Sequence, residues 1–130
     1  MRILLDTNVV LWMALEPESM RSDVVDLVEA DATTLLLSAV VQWEISIKWR
    51  TGRLPLPEHP REWIARLSRE FGVETLPVVP AHALQVADLP DHHKDPFDRL
   101  LIAQAQVEGI PIVTGDGSFA RYDVAVITAR

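Results

Sequence analysis

The chain has 130 residues, the length of one domain, and 48% of them are hydrophobic, which excludes disorder over most of the sequence. It contains no cysteine, so disulfide frameworks, cysteine-ligated zinc, iron–sulfur clusters and thiol nucleophiles are excluded. Twelve basic and 19 acidic residues give a net charge of −7. Charge alone does not predict a nucleic-acid-binding protein, because surfaces that contact nucleic acid are usually basic.

The sequence predicts no membrane partner. The longest wholly apolar run, residues 9–15, is far shorter than the roughly 20 residues that a membrane-spanning helix needs. Near the amino terminus, Asp6 interrupts the apolar stretch that a signal peptide would require. We therefore expect a cytoplasmic protein.

Short apolar runs alternate with amphipathic stretches along the chain, which predicts an α/β domain built on a parallel sheet. In chain order, the predicted elements are a strand at 3–5, helices at 9–15 and 22–30, a strand at 35–37, a helix at 61–71, a strand at 73–79, a short helix at 81–87, a helix from Asp95-Pro96 to about Glu108, and strands at 110–114 and 124–127.

The segment between Val40 and Arg50 fits two structures. Apolar and polar residues alternate along it, which is typical of a strand. Placed at 100° per residue, the same apolar residues form two groups with Glu44 between them, which is typical of a helix that packs on two sides. The local pattern leaves both structures open and favours the helix by a small margin.

Four acidic residues lie in apolar surroundings, where a carboxylate needs a partner or a cation. In a parallel sheet, the carboxyl ends of the strands and the starts of the following helices share one edge, so these acids are expected to converge there. Carboxylates at close range repel one another unless a cation is bound, and oxygen ligands favour Mg²⁺ or Mn²⁺. The four predicted metal ligands and catalytic residues are Asp6, Glu44, Asp98 and Asp116.

Around these acids the sequence resembles a known family. Four segments look like the four acidic motifs of PIN-domain proteins: Asp6-Thr7-Asn8 after an apolar strand, Glu44, Asp98-Arg99-Leu100-Leu101-Ile102-Ala103, and Thr114-Gly115-Asp116. Longer segments resemble the VapC toxins of bacterial type II toxin–antitoxin pairs: Leu37-Ser38-Ala39-Val40 through Trp43-Glu44-Ile45 to Lys48, then Gly52-Arg53-Leu54, and Asp95-Pro96-Phe97-Asp98-Arg99. The resemblance runs from residue 3 to about residue 127.

The resemblance implies a three-layer α/β/α PIN domain over residues 1–130, with a five-stranded parallel sheet in the order 3-2-1-4-5 and Glu44 on a helix. It implies an endoribonuclease that hydrolyses RNA phosphodiester bonds with a metal-activated water, using one or two Mg²⁺ or Mn²⁺ ions. It also implies an RNA substrate, a cognate VapB-type antitoxin and a homodimer. The alternative is a catalytically silent PIN-like scaffold that binds protein partners.

Each of the four acids also has a structural alternative. Asp6 could cap the following helix, and Glu44 could be a surface acid. Asp98 could stabilise a helix dipole, and Asp116 could be a turn residue. The predicted site would be absent only if all four alternatives were true at once.

Other residues near the predicted edge have supporting roles. Hydrogen bonding to the ligands or helix capping is expected for Thr7, Asn8, Ser38, Asp95 and Thr114. The pair His92-His93 lies in a loop of polar composition and is expected to be exposed. Four basic residues are candidates for contacting RNA phosphates: Lys48, Arg50, Arg53 and Arg99. The alternative for the first three is a solvated helix end, and the alternative for Arg99 is an ion pair with a neighbouring carboxylate. The four tryptophans are expected to pack in the core or in a dimer.

Overall fold

Five parallel strands form one sheet in the computed structural model, which describes all 130 residues. The strands are β1 (Arg2–Leu5), β2 (Thr34–Ser38), β3 (Glu74–Leu76), β4 (Ile112–Thr114) and β5 (Val126–Thr128). Their order is β3-β2-β1-β4-β5, and all four pairings are parallel. The predicted strand order is therefore confirmed. Because β1 and β4 are neighbours, the residues that follow them meet at one edge of the sheet.

Six α-helices flank the sheet, which confirms the predicted α/β architecture. They are α1 (Thr7–Leu15), α2 (Ser22–Glu29), α3 (Ala39–Arg50), α4 (Pro60–Phe71), α5 (Pro80–Gln85) and α6 (Pro96–Glu108), with 3₁₀ turns at Pro17–Ser19, Val86–Asp88 and Gly117–Arg121. No helix combines the length and apolar character needed to cross a bilayer.

Two strands are shorter than the sequence predicts. The prediction extended the third strand to residue 79, whereas β3 ends at Leu76 because Pro77 has no N–H to continue the ladder. The fourth strand was predicted from residue 110, whereas β4 begins at Ile112, directly after Pro111. The last strand is shifted toward the carboxyl terminus and covers Val126–Thr128.

The ambiguous segment is helical. Helix α3 contacts α1, α4 and α6, so it carries apolar residues on more than one side. Val41 and Ile45 are fully buried, while Trp43 is 57% exposed. The two-residue periodicity therefore does not indicate a strand. It arises because α3 has apolar residues on more than one side, and residues from these sides alternate in the sequence.

The core is built from strands that are apolar on both faces. Ile3, Leu4 and Leu5 of β1 are completely buried, as are Ile112 and Val113 of β4. Such continuous apolar runs are expected where helices cover both faces of a parallel sheet. Among the tryptophans, only Trp63 is fully buried, so the expectation of core packing is met fully at that residue alone.

Candidate active site

Asp6 lies at the end of the central strand, between β1 and α1. Its backbone N–H donates to the carbonyl of Val113 on β4 (3.0 Å), which fixes the turn out of the sheet. Its carboxylate accepts the N–H of Thr7 at Oδ1 and the hydroxyl of Thr114 at Oδ2, both at 2.8 Å. With 6% exposure, Asp6 is therefore a buried carboxylate held from two elements of the chain.

Glu44 projects from the middle of α3 and is also only 6% exposed. The hydroxyl of Thr7 donates to its Oε1 (2.6 Å), and the ammonium of Lys48, one turn further along α3, contacts its Oε2 (2.5 Å). Thr7 thereby connects the segment after β1 to α3. The surface-acid alternative for Glu44 is excluded by its burial.

Asp98 and Asp116 are supplied by the later part of the chain, from α6 and from the segment after β4. Asp98 lies in the first turn of α6, where the Oδ1 of Asp95 caps the helix by accepting the N–H of Phe97 (2.8 Å) and of Asp98 (3.1 Å). Asp116 follows β4, and its N–H donates to the hydroxyl of Thr114 (3.0 Å). Asp95 and Thr114 thus position the two acids through the backbone.

The charges of the cluster influence one another. Burial raises the pKa of Asp6 above its usual range, and the charges of Glu44 and Asp116 raise it further. Burial likewise raises the pKa of Asp98 to about 7, followed by the charges of Asp6 and Asp95. The structure thus brings all four predicted acids into one electrostatically coupled group with an excess of negative charge.

Asp116 differs from its neighbours. Partial burial would raise the pKa of Asp116, but the hydroxyl and N–H of Ser118 and the ring of His93 lower that pKa below its usual range. The Oδ1 of Asp116 accepts both groups of Ser118, at 2.7 Å and 2.9 Å, and so caps the 3₁₀ turn. The turn role predicted as an alternative is therefore fulfilled by one oxygen, while Oδ2 faces the cluster.

The donor set fits a divalent cation. Carboxylate oxygens are the ligands that Mg²⁺ and Mn²⁺ prefer. Burial and the neighbouring acidic charges raise the pKa values of Asp6 and Asp98, so ionising both carboxylates in the metal-free chain is unfavourable. One ligand atom each from His93, Asp98 and Asp116 lies within 4.8 Å of the others. A bound cation would offset the repulsion that remains among the four carboxylates beside the contacts of Lys48 and His93.

His93 is the residue that the sequence analysis missed, since it was expected to be exposed. Its Nε2 lies 3.1 Å from Asp98 Oδ2 and 3.3 Å from Asp116 Oδ2, and its side chain is only 21% exposed. His92 follows the prediction: it is exposed, with its ring edge against Tyr122. Loop composition predicted exposure for both, but the fold turns one ring inward.

The structure gives Arg99 partners within the chain and agrees with the carboxylate pair predicted as its alternative role, because its guanidinium lies 3.8 Å from Asp91. The side chain of Arg99 is only 15% exposed. The guanidinium donates to the backbone carbonyls of Pro90 (2.8 Å) and His93 (3.3 Å), and more weakly to those of Val86 and Leu89 (3.4 Å each). Because its donors are used within the chain, Arg99 fastens the loop that carries His93 and is not free to bind phosphate.

The remaining predicted residues divide by exposure. Arg50 is exposed at the end of α3 and Arg53 is exposed just beyond it, whereas Lys48 is engaged with Glu44. Asn8 is exposed in the first turn of α1. Ser38 is buried and caps α3 by accepting the N–H of Val40 (3.0 Å), while its hydroxyl donates to Gln104.

The metal-free chain is expected to lose stability as the pH rises from about 4 to about 7. The pKa of Asp98 is about 7 in the folded chain, against an ordinary value of 3.8, so the folded chain binds this proton more tightly. Its stabilising contribution is fully present below the ordinary value and is lost as the pH rises through about 7. Melting temperatures measured with a chelator would test this. Asp98→Asn should flatten the curve, and equal slopes for the two proteins would contradict the assignment.

Comparison with known proteins places this geometry in a family. A model of the PIN domain matches residues 3–125. Similar solved structures include VapBC2 from Rickettsia felis bound to a DNA fragment from their promoter (TM-score 0.76, 17% identity, 100% of both chains). VapBC-1 from nontypeable Haemophilus influenzae is similar over 98% of both chains (TM-score 0.71, 18% identity). FitAcB from Neisseria gonorrhoeae is similar over 97% of this chain and 96% of that chain (TM-score 0.65, 25% identity).

A comparison with curated proteins gives no significant match. The family match spans almost the whole chain and includes all four acids of the cluster. The chain belongs to the PIN domain family.

Proposed function

We propose that the chain is a metal-dependent endoribonuclease and the toxin of a VapBC-type toxin–antitoxin pair. The observation that carries the proposal is the convergence of Asp6, Glu44, Asp98 and Asp116 in one group, in which burial and neighbouring acidic charges raise the pKa values of Asp6 and Asp98. The family match and the similarity to chains from VapBC complexes support it. A protein that only bound other proteins would gain nothing from burying the carboxylates of Asp6 and Asp98, whose raised pKa values disfavour ionisation in the metal-free fold.

The four acids would hold one or two Mg²⁺ or Mn²⁺ ions. When bound, such an ion supplies positive charge against a phosphate and promotes the ionisation of water. The chain's own residues prepare the ligands for this. Thr7 and Thr114 orient buried carboxylates by donating hydroxyl hydrogen bonds, and Asp95 sets the first turn of α6 from which Asp98 projects.

RNA cleavage by the purified chain without partner, in Mn²⁺ or Mg²⁺ and with a chelator as control, tests the proposal. Cleavage that requires the metal would support the nuclease. Mn²⁺ binding should be measured on the same preparation. Binding without cleavage of several structured RNAs would exclude those RNAs as substrates, while absence of both binding and cleavage would favour the scaffold alternative.

The antitoxin is proposed to cover an apolar surface beside the acids. Trp43 is 57% exposed on α3, directly before Glu44, and its ring meets the edge of Phe97 (4.9 Å between centroids). The net charge of −7 suits a basic partner segment. Affinity measured against salt concentration should fall as salt rises, and salt-insensitive binding would contradict the charge argument.

Sedimentation of the chain alone would test the proposed homodimer, which a monomer at high concentration would exclude.

Arg53→Ala is expected to weaken RNA binding and to reduce the slope of log K against log salt by about 1. Arg53 is exposed, and its N–H donates to the carbonyl of Lys48 (2.8 Å), so it lies close to the residue that contacts Glu44. Arg69→Ala, at an exposed arginine in the last turn of α4, is the control. Equal slopes for Arg53→Ala and the wild-type chain would exclude a phosphate contact.

A further inference from the structure

We infer that His93 is a positioning residue that bridges Asp98 and Asp116 in the metal-free chain and gives up this bridge when a cation binds. The inference rests on the proposed metal site and adds to it a residue outside the four acids. Its basis is the geometry of one imidazole between two carboxylates, with Nε2 at 3.1 Å and 3.3 Å from their Oδ2 atoms.

The hydrogen bonds of the ring define which nitrogen carries the proton. The backbone N–H of Asp95 points at His93 Nδ1 (3.3 Å), so Nδ1 acts as the acceptor. In a neutral imidazole the other nitrogen then bears the hydrogen. Nε2–H therefore donates to Asp116 Oδ2, with Asp98 Oδ2 in contact with the same nitrogen, and in this tautomer Nε2 has no lone pair to offer a metal ion. The ring is a bridge between two acids and does not act as a ligand.

The ring is held in place by the chain around it. Arg99 donates to the carbonyl of His93 and to that of Pro90, which fixes the backbone of the loop. The ring of Phe119, which is fully buried, meets the imidazole edge-on with 6.0 Å between centroids. A side chain restrained in this way keeps its N–H directed at Asp116 and its Nε2 in contact with Asp98.

The bridge and a cation compete for the same oxygens. A donor that lies between Asp98 and Asp116 lowers the repulsion between them and so stabilises the metal-free chain. A cation on these oxygens would face the positive end of the N–H bond, so the two arrangements exclude each other. A group that stabilises only the metal-free state lowers the affinity for the ligand, by the logic of population shift.

His93→Leu and His93→Gln separate the bridge from other roles. Leucine removes the donor, whereas the glutamine amide can still donate in a similar position. We expect His93→Leu to lower the melting temperature of the metal-free chain by about 3–5 °C and to tighten Mn²⁺ binding about three- to tenfold, which corresponds to one hydrogen bond. His93→Gln should lie close to the wild-type chain in both measurements. His92→Leu, at the exposed neighbour, is the matched control and should change neither.

Three outcomes would overturn the inference. Weaker Mn²⁺ binding in both His93 variants would identify His93 as a metal ligand. Unchanged melting temperature and affinity in His93→Leu would show that no bridge contributes. Equal losses of stability in the leucine and glutamine variants would assign the effect to ring packing. If the wild-type chain bound no Mn²⁺, the proposed metal site and the competition would both fail, and the melting temperatures alone would decide whether His93 bridges the acids.

Discussion

Asp98→Asn is expected to remove metal-dependent RNA cleavage and, at the same time, to raise the stability of the metal-free chain above pH 7. Substitutions in the outer shell of metal sites typically lower metal affinity or activity about 10–100-fold. Loss of the proposed carboxylate ligand should therefore lower the cleavage rate by at least about 100-fold. Stability should rise because the pKa of Asp98, about 7, shows that its ionised form is disfavoured in the folded chain.

The opposite signs of the two effects make this variant informative. A substitution that merely damaged the fold would lower activity and stability together. Asp91→Asn is the matched control, because Asp91 is fully exposed in the loop before α6. Its contact with Arg99 is long, at 3.8 Å. Cleavage rates in Mn²⁺ and melting temperatures with a chelator should be measured for both variants. Asp98→Asn with full activity would exclude Asp98 from the metal site.

Gly115→Ala is expected to destabilise the chain by about 1–3 kcal/mol, as overpacking of a filled site does. A Cβ at Gly115 would lie 2.4 Å from Cη2 and 2.8 Å from Cζ3 of Trp12. The indole cannot simply turn away, because it belongs to the half-buried face of α1 and the guanidinium of Arg130 lies 3.7 Å from its ring centroid. Gly115 directly precedes Asp116, so the displacement should also weaken Mn²⁺ binding.

A double-mutant cycle tests this steric explanation. Trp12→Leu removes the ring, so adding Gly115→Ala to that variant should destabilise it much less than it destabilises the wild-type chain. Gly117→Ala is the control, because a Cβ there meets nothing within 4 Å and the backbone is not in the left-handed region. Denaturant unfolding of the four chains measures the coupling. Equal destabilisation in both backgrounds would contradict a clash with Trp12.

The sequence predicted the sheet and the four acids because both depend on local signals. Apolar runs such as Ile3-Leu4-Leu5 identify buried strands, and an acid after such a run falls at the carboxyl edge of a parallel sheet. Family resemblance supplied the strand order and the helix that carries Glu44. None of these predictions depended on the path of a loop.

The roles of His93 and Arg99 could not be predicted in this way. Both residues lie near the polar segment before α6, where composition indicates exposure, and neither falls in an apolar periodic pattern. Their environment depends on the path of one loop. Backbone carbonyls between Val86 and His93 converge on the Arg99 guanidinium. The ring of His93 meets Asp116, which follows β4 and is distant in sequence. A hint existed in the sequence, because a histidine five residues before Asp98 is close enough along the chain to fold back toward it.

The hydrogen bond from Thr114 to Asp6 spans 108 residues. With β4 paired directly to β1, the two halves of the acidic cluster come from parts of the chain that are far apart in sequence. During synthesis, Asp6 and Glu44 emerge from the ribosome long before Asp98 and Asp116 exist. A nascent or truncated chain that stops before β4 therefore cannot assemble the cluster, and the complete site forms only after β4 and Asp116 have been synthesised.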